Sequence, residues 1–183
     1  MKVSKQQLEE NRINVLRSAS RLFRERGLEA VTLDDVMKDA GLTRGAFYGH
    51  FKSKDDLIAQ ATAYAVRPTE SLETLPFADY VARYLSARQR DNSGDGCAFA
   101  ALASEIARQP GEARRLMSEG FEEIIARMSE KAPGETPEAK RSRAIATMSG
   151  LVGALILARM SGGEALSDEI LEATKCSLVE DRP

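Results

Sequence analysis

Tryptophan is absent, histidine occurs once and cysteine twice in a chain of 183 residues. Each scarcity removes a class of function. With aromatic residues at 5%, the core must be built mostly from aliphatic side chains. Cys97 and Cys176 lie far apart, with no CxxC pair, so no disulfide framework is expected and the pattern suits a reducing cytoplasm. A single histidine, no metal-ligand spacing, no nucleophile motif and no phosphate-cradling glycine loop leave no case for an enzyme, a metal or a cofactor. The stretch Met1 to Glu10 is polar and has no apolar signal-peptide core. The longest uncharged run, Ala144 to Ala158, falls short of the ~20 residues of a membrane helix, and Arg143 and Arg159 bracket it. A soluble, cytoplasmic chain without a membrane partner is expected. A strong charge of one sign is lacking too. The net charge is −2; residues 1–60 carry 11 basic against 9 acidic side chains and the remainder 15 against 19. Attraction to nucleic acid then depends on how basic residues are placed on one face.

What is present reads as helix throughout. Apolar residues recur at helical spacing, and period-2 alternation is nearly absent. The first helix runs from about Leu8 or Asn11 to Arg26, with Ile13, Leu16, Ala19, Leu22 and Phe23 on one face, and Gly27 stops it. Three capped starts follow. Thr32 with Asp35 makes a capping box, and Val31 with Val36 a hydrophobic staple. Thr43 caps the next helix, with Leu42 and Phe47 at staple spacing. Ser53, with Asp56 three residues on, caps a third that runs on toward Pro68. Further helices are expected over about 77–90, 97–108, from Pro110 to Lys131, and over 138–160. After the Gly162-Gly163 break, Ser167 and Asp168 open the last. The expected fold is all-α, with about nine helices: a three-helix helix-turn-helix DNA-binding domain over residues 1–53 and a helical regulatory and dimerisation domain over 54–183.

Two short helices joined by a tight turn at Gly41 match a helix-turn-helix, which puts the second, about Arg44 to His50, in a major groove of double-stranded DNA. Arg44 suits a bidentate pair to guanine. Gly45 and Ala46 are small enough for close approach to the bases. Tyr48 offers a ring to a thymine methyl and a hydroxyl to phosphate. Thr32, Thr43 and Lys54 sit at helix N-termini, where phosphates bind. His50 fits either a phosphate contact or a structural hydrogen bond, and Lys52 fits a solvated role. Phe47, Phe51 and Leu57 are assigned to the core.

The run from Thr32 to Leu57, TLDDVMKDAGLTRGAFYGHFKSKDDL, resembles the signature of the TetR family of bacterial repressors. The matching positions are Thr32, Val36, Ala40-Gly41, Leu42-Thr43, Gly45-Ala46-Phe47-Tyr48, His50-Phe51, Lys52, Lys54 and Leu57. The segment Ala19 to Phe23, through Gly27, resembles that family's first helix. The likeness covers about residues 11–60. Gly49 departs from it, standing where the family has a larger residue. The resemblance implies a homodimeric transcriptional repressor, released from a palindromic operator by a small-molecule effector that binds in the C-terminal half.

In that half, Gly96-Cys97 resembles a helix opening found in one subset of the family. Apolar and aromatic residues, Tyr80, Tyr84, Phe99, Leu102, Met117, Phe121 and Ile125, are the expected ligand contacts; packed core is the competing reading for each. Phe77 belongs to the same stripe. Cys97 at a helix N-terminus, where a thiol pKa can fall, leaves open a redox-responsive regulator; a plain buried thiol is the competing reading. A helical dimeric adaptor without DNA binding is a further alternative. Along the 138–160 helix, Gly150, Ala154 and Ala158 repeat every four residues, flanked by Met148, Leu151 and Leu155. This small-residue row is the expected dimer interface.

Overall fold

The computed structural model describes residues 4–109 and 111–179, and no strand forms among them. Helix α1, Lys5–Arg26, is capped by the Ser4 hydroxyl, which accepts from the Gln7 N–H. It therefore starts earlier than its apolar pattern indicates. Its inner face is Val15, Leu16, Ala19, Leu22 and Phe23, while Ile13 is 38% exposed. Gly27, at φ +84°, ends the helix and returns its N–H to the Phe23 carbonyl. Helix α2, Leu33–Asp39, carries the full capping box between Thr32 and Asp35. Gly41, at φ +72°, makes the turn that follows. Residues Arg44–Gly49 then form a 3-10 helix, and α3 spans Lys54–Ala65. Phe47, Phe51 and Leu57 are buried, as are Val31 and Val36.

The larger half comprises α4 (Glu70–Thr74), α5 (Phe77–Tyr84), α6 (Ala87–Asp91), α7 (Ala98–Ile106), α8 (Glu112–Lys131), α9 (Pro137–Met160) and α10 (Glu164–Val179). Ten α-helices and the 3-10 helix among the described residues exceed the expected nine by two, for a local reason. Thr69 and Ser86 each cap a short new helix with their side chains. The expected 77–90 helix is thus cut at Leu85-Ser86. The last helix starts at Glu164, ahead of Ser167, whose hydroxyl bonds the Ala158 carbonyl instead. The expected helix start at Pro110 lies outside the described residues.

Helix α3 packs on α1 on one side and α8 on the other, and α9 lies between α8 and α10. Gly120 of α8 meets Val66 at the end of α3 so closely that an added Cβ would stand 2.7 Å from the Val66 Cβ. By length and composition α9 is the one helix among the described residues apolar enough to cross a membrane. Yet Ala144, Thr147, Met148, Leu151, Ala154, Leu155 and Ala158 are buried, as in the central helix of a helical bundle.

Candidate nucleic-acid interface and regulatory cavity

The segment 43–50 is short and holds glycines at 45 and 49, so it closes in the tighter 3-10 form. Its bonds run from the Ala46 N–H to the Thr43 carbonyl and from the His50 N–H to the Phe47 carbonyl. Thr43 makes no side-chain cap, a correction to its expected capping role; its hydroxyl is exposed and uncommitted. Phe47 anchors the segment from beneath, stacked on Phe51 at 5.6 Å and edge-on to Tyr48 at 5.2 Å.

On that footing Tyr48 is 69% exposed. Arg44 and Gly45 are also exposed, while Ala46 and His50 are half-buried. An added Cβ at Gly45 or Gly49 meets nothing within 4 Å, so the chain's own packing requires neither glycine. Arg44 donates from Nη1 to Asp34 Oδ2 at 2.8 Å across the turn. Thr32 is wholly engaged: its hydroxyl accepts from the Asp35 N–H and donates to Asp35 Oδ2, and its N–H donates to the same oxygen. These bonds hold the Asp35 carboxyl below its usual range. Lys54, half-buried, reaches the Glu29 carbonyl at 3.4 Å. The Ser53 hydroxyl caps α3, while Asp56 reaches past it to the Lys52 N–H.

The expected ligand contacts divide between two concavities. A cavity of about 330 Å³ is lined by the end of α3, by α4, α5 and α6, and by the loop before α7. Tyr80, Tyr84 and Phe99 face it. A more open, mostly apolar groove of about 380 Å³ takes Phe99, Met117 and Phe121, with Arg114 at its edge. Leu102 and Ile125 line neither; they are 2% and 1% exposed and belong to the core. Sequence reasoning missed Arg67, Arg83, Gln89 and Asp95 as cavity residues. They arrive on helix ends and a loop, where periodicity carries no signal.

Cys97 opens α7 beside Tyr84. Burial pushes its thiol pKa up, outweighing the Tyr84 hydroxyl and the backbone N–H groups of Phe99 and Ala100. The direction runs against the alternative of a thiol activated by its helix N-terminus. The expected dimer row is corrected as well. Met148, Leu151, Ala154, Leu155 and Ala158 are all within 5% of full burial inside one chain, and Gly150 faces Leu178 of α10. The apolar side chains that α9 leaves exposed are Ile145, Ile156, Leu157 and Met160, joined by Leu166 of α10.

A physical joint connects the two halves. The Arg24 Nε of α1 donates to the Gly94 carbonyl at 2.7 Å, and the Leu28 N–H donates to Glu105 Oε2 at 2.8 Å. Gly94 is buried against Glu25 and Arg21. The same loop presents Asp95, Gly96 and Cys97 to the cavity.

Residues 15–61 match the family model described as bacterial regulatory proteins, tetR family. Over 57 residues the chain is 44% identical to the HTH-type transcriptional regulator AcrR of Shigella flexneri, a match covering 31% of this chain and 26% of that protein. The chain thus spans about a quarter of the length of that curated relative. Over the whole length it is similar in fold to a TetR-family transcriptional regulator from Cytophaga hutchinsonii, with a TM-score of 0.76, 17% identity and 100% of both chains covered. It is also similar to the reduced form of NemR from E. coli, with a TM-score of 0.73, 23% identity, and 92% and 95% of the two chains covered.

Proposed function

We propose, for a chain that belongs to the TetR family of bacterial regulatory proteins, a homodimeric transcriptional repressor that leaves its operator when a small molecule fills the regulatory cavity. The observation that carries this reading is the exposed row Arg44, Gly45 and Tyr48 on a base of buried Phe47 and Phe51. Arg44 offers a guanidinium to guanine, Tyr48 a ring to thymine, and Gly45 leaves room for the bases. Thr43, with its hydroxyl free, and Lys54 stand at helix starts for phosphate, and His50 flanks them. Thr32 contributes by fixing α2, since its own groups are spent on Asp35.

Two such heads read two half-sites, which requires a two-fold protein. The exposed apolar side chains of α9 and α10 are the surface for the second copy. Ligand binding acts through two connections from the cavity: α3, whose C-terminal end lines it and whose N-terminus follows the 3-10 helix, and the loop tied to α1 by Arg24. A regulator of this kind works in the cytoplasm, as a soluble protein and without chemical catalysis. The half-buried Cys97, its thiol pKa raised, does not favour a redox trigger.

The test is fluorescence anisotropy of the full chain on a duplex enriched from a genomic library. Arg44→Ala and Tyr48→Ala proteins that melt like the parent are expected to bind at least tenfold more weakly, since each good base contact contributes ~1–3 kcal/mol. Unchanged affinity in both would overturn the assignment.

A further inference from the structure

The regulatory cavity holds a polar atom that the chain leaves without a partner. Tyr84 is 6% exposed, and its hydroxyl reaches no oxygen or nitrogen partner among the described residues. The Cys97 thiol stands beside it, but a thiol is a weak partner. A buried hydroxyl left unpaired costs free energy that a bound acceptor recovers. Tyr80 lies next to it, with ring centroids 6.1 Å apart. Burial keeps both phenols neutral, and so able to donate, well above their usual range.

The rest of the wall sets the ligand's charge. Leu72, Phe99, Ile124 and Met148 supply its apolar patches, and the two positive charges of Arg67 and Arg83 are matched in number by Glu70 and Asp95. Arg159 is the cation whose field reaches Tyr84, and it is already spent on the carbonyls of Gln89 and Arg90, at 2.8 and 3.0 Å. An anionic head placed on Tyr84 would lose its water and meet a lining whose side-chain charges sum to zero. A neutral acceptor incurs far less desolvation.

We infer that the effector, on the reading of this cavity as the regulatory site, is a neutral molecule carrying a carbonyl-type acceptor, to which the Tyr84 hydroxyl donates. The volume suits a body of roughly ten to fifteen non-hydrogen atoms.

Three probes of one shape separate the possibilities: acetylnaphthalene, ethylnaphthalene and naphthoate, titrated calorimetrically into the full chain and into Tyr84→Phe. Acetylnaphthalene is expected to bind the parent tightest and to lose about tenfold in Tyr84→Phe, the size of one hydrogen bond. Ethylnaphthalene is expected to bind both proteins alike. Tyr84→Phe is expected to melt no lower than the parent, because it removes an unpaired buried group; a merely structural tyrosine would lower stability and binding together. Equal affinity of both proteins for acetylnaphthalene overturns the inference. So does tighter binding of naphthoate, or no binding by any of the three. Operator affinity without probe, measured on the same preparations, keeps the outcomes apart: if it is intact while the probes fail, the ligand assignment is wrong and the DNA-binding reading stands.

Discussion

Arg44 is held by Asp34 before any DNA arrives. Both side chains are exposed, so the pair is weak and screened by salt, but it must open for the guanidinium to meet a base. Asp34→Asn removes that competitor and one negative charge from the face. It is expected to tighten operator binding about two- to fivefold at low salt, with the gain shrinking as salt rises; titrations at two salt concentrations read this directly. Thr32 works through Asp35. Its removal in Thr32→Ala is expected to cost about 1 kcal/mol of stability at neutral pH. Because bonds to Thr32 lower the Asp35 pKa, their stabilisation is complete above the ordinary carboxylate value of 3.8 and is lost as pH falls through the folded value. The gap in melting temperature between parent and variant is therefore expected to narrow in acid. Residue identities in this region were legible in the sequence because caps and buried aromatics act over three or four positions. The pairing of Arg44 with Asp34 was not, since it crosses the turn and depends on the 3-10 geometry.

At the level of elements, the junction of α3 and α8 is the tightest that the chain makes with a glycine. Gly120→Ala sets a methyl against Val66 and the end of α3. It is expected to cost ~1–3 kcal/mol, as overpacked cores do, read as a lower denaturant midpoint with an unchanged slope. Helix α3 also carries the cavity wall, so the same substitution is expected to weaken ligand-induced release of DNA. Long helices were visible from their apolar spacing. Helices α4 and α6 have five residues each, too few for a period to register, and they position part of the cavity. That explains why the apolar spacing of α5 brings Tyr80 and Tyr84 to notice while it gives no signal for Gln89 of α6; Arg67, past the end of α3, lies outside any period.

For the molecule as a whole, the small-residue row of α9 suits close helix approach, and at Gly150 the approaching helix is the chain's own α10. Sequence periodicity marks a stripe and cannot say which neighbour covers it; Leu178 against Gly150 supplies the answer. The proposed second copy then meets the side chains of α9 that stay exposed, Ile145, Ile156, Leu157 and Met160. Ile156→Glu is expected to give a folded monomer in light scattering with weakened operator binding, whereas Leu155→Glu buries a charge in the core and is expected to unfold the chain. A folded Ile156→Glu dimer would place the interface elsewhere.

On the proposed function, two copies of the Arg44–Tyr48 surface read one symmetric DNA site. Chemical footprinting of the full chain on its enriched duplex tests this most directly. Two protected patches related by a two-fold axis are expected, centred about 10 base pairs or a multiple of that apart, and both vanish in Arg44→Ala. A single unsymmetrical patch, or an unaltered pattern in folded Arg44→Ala protein, would contradict the account.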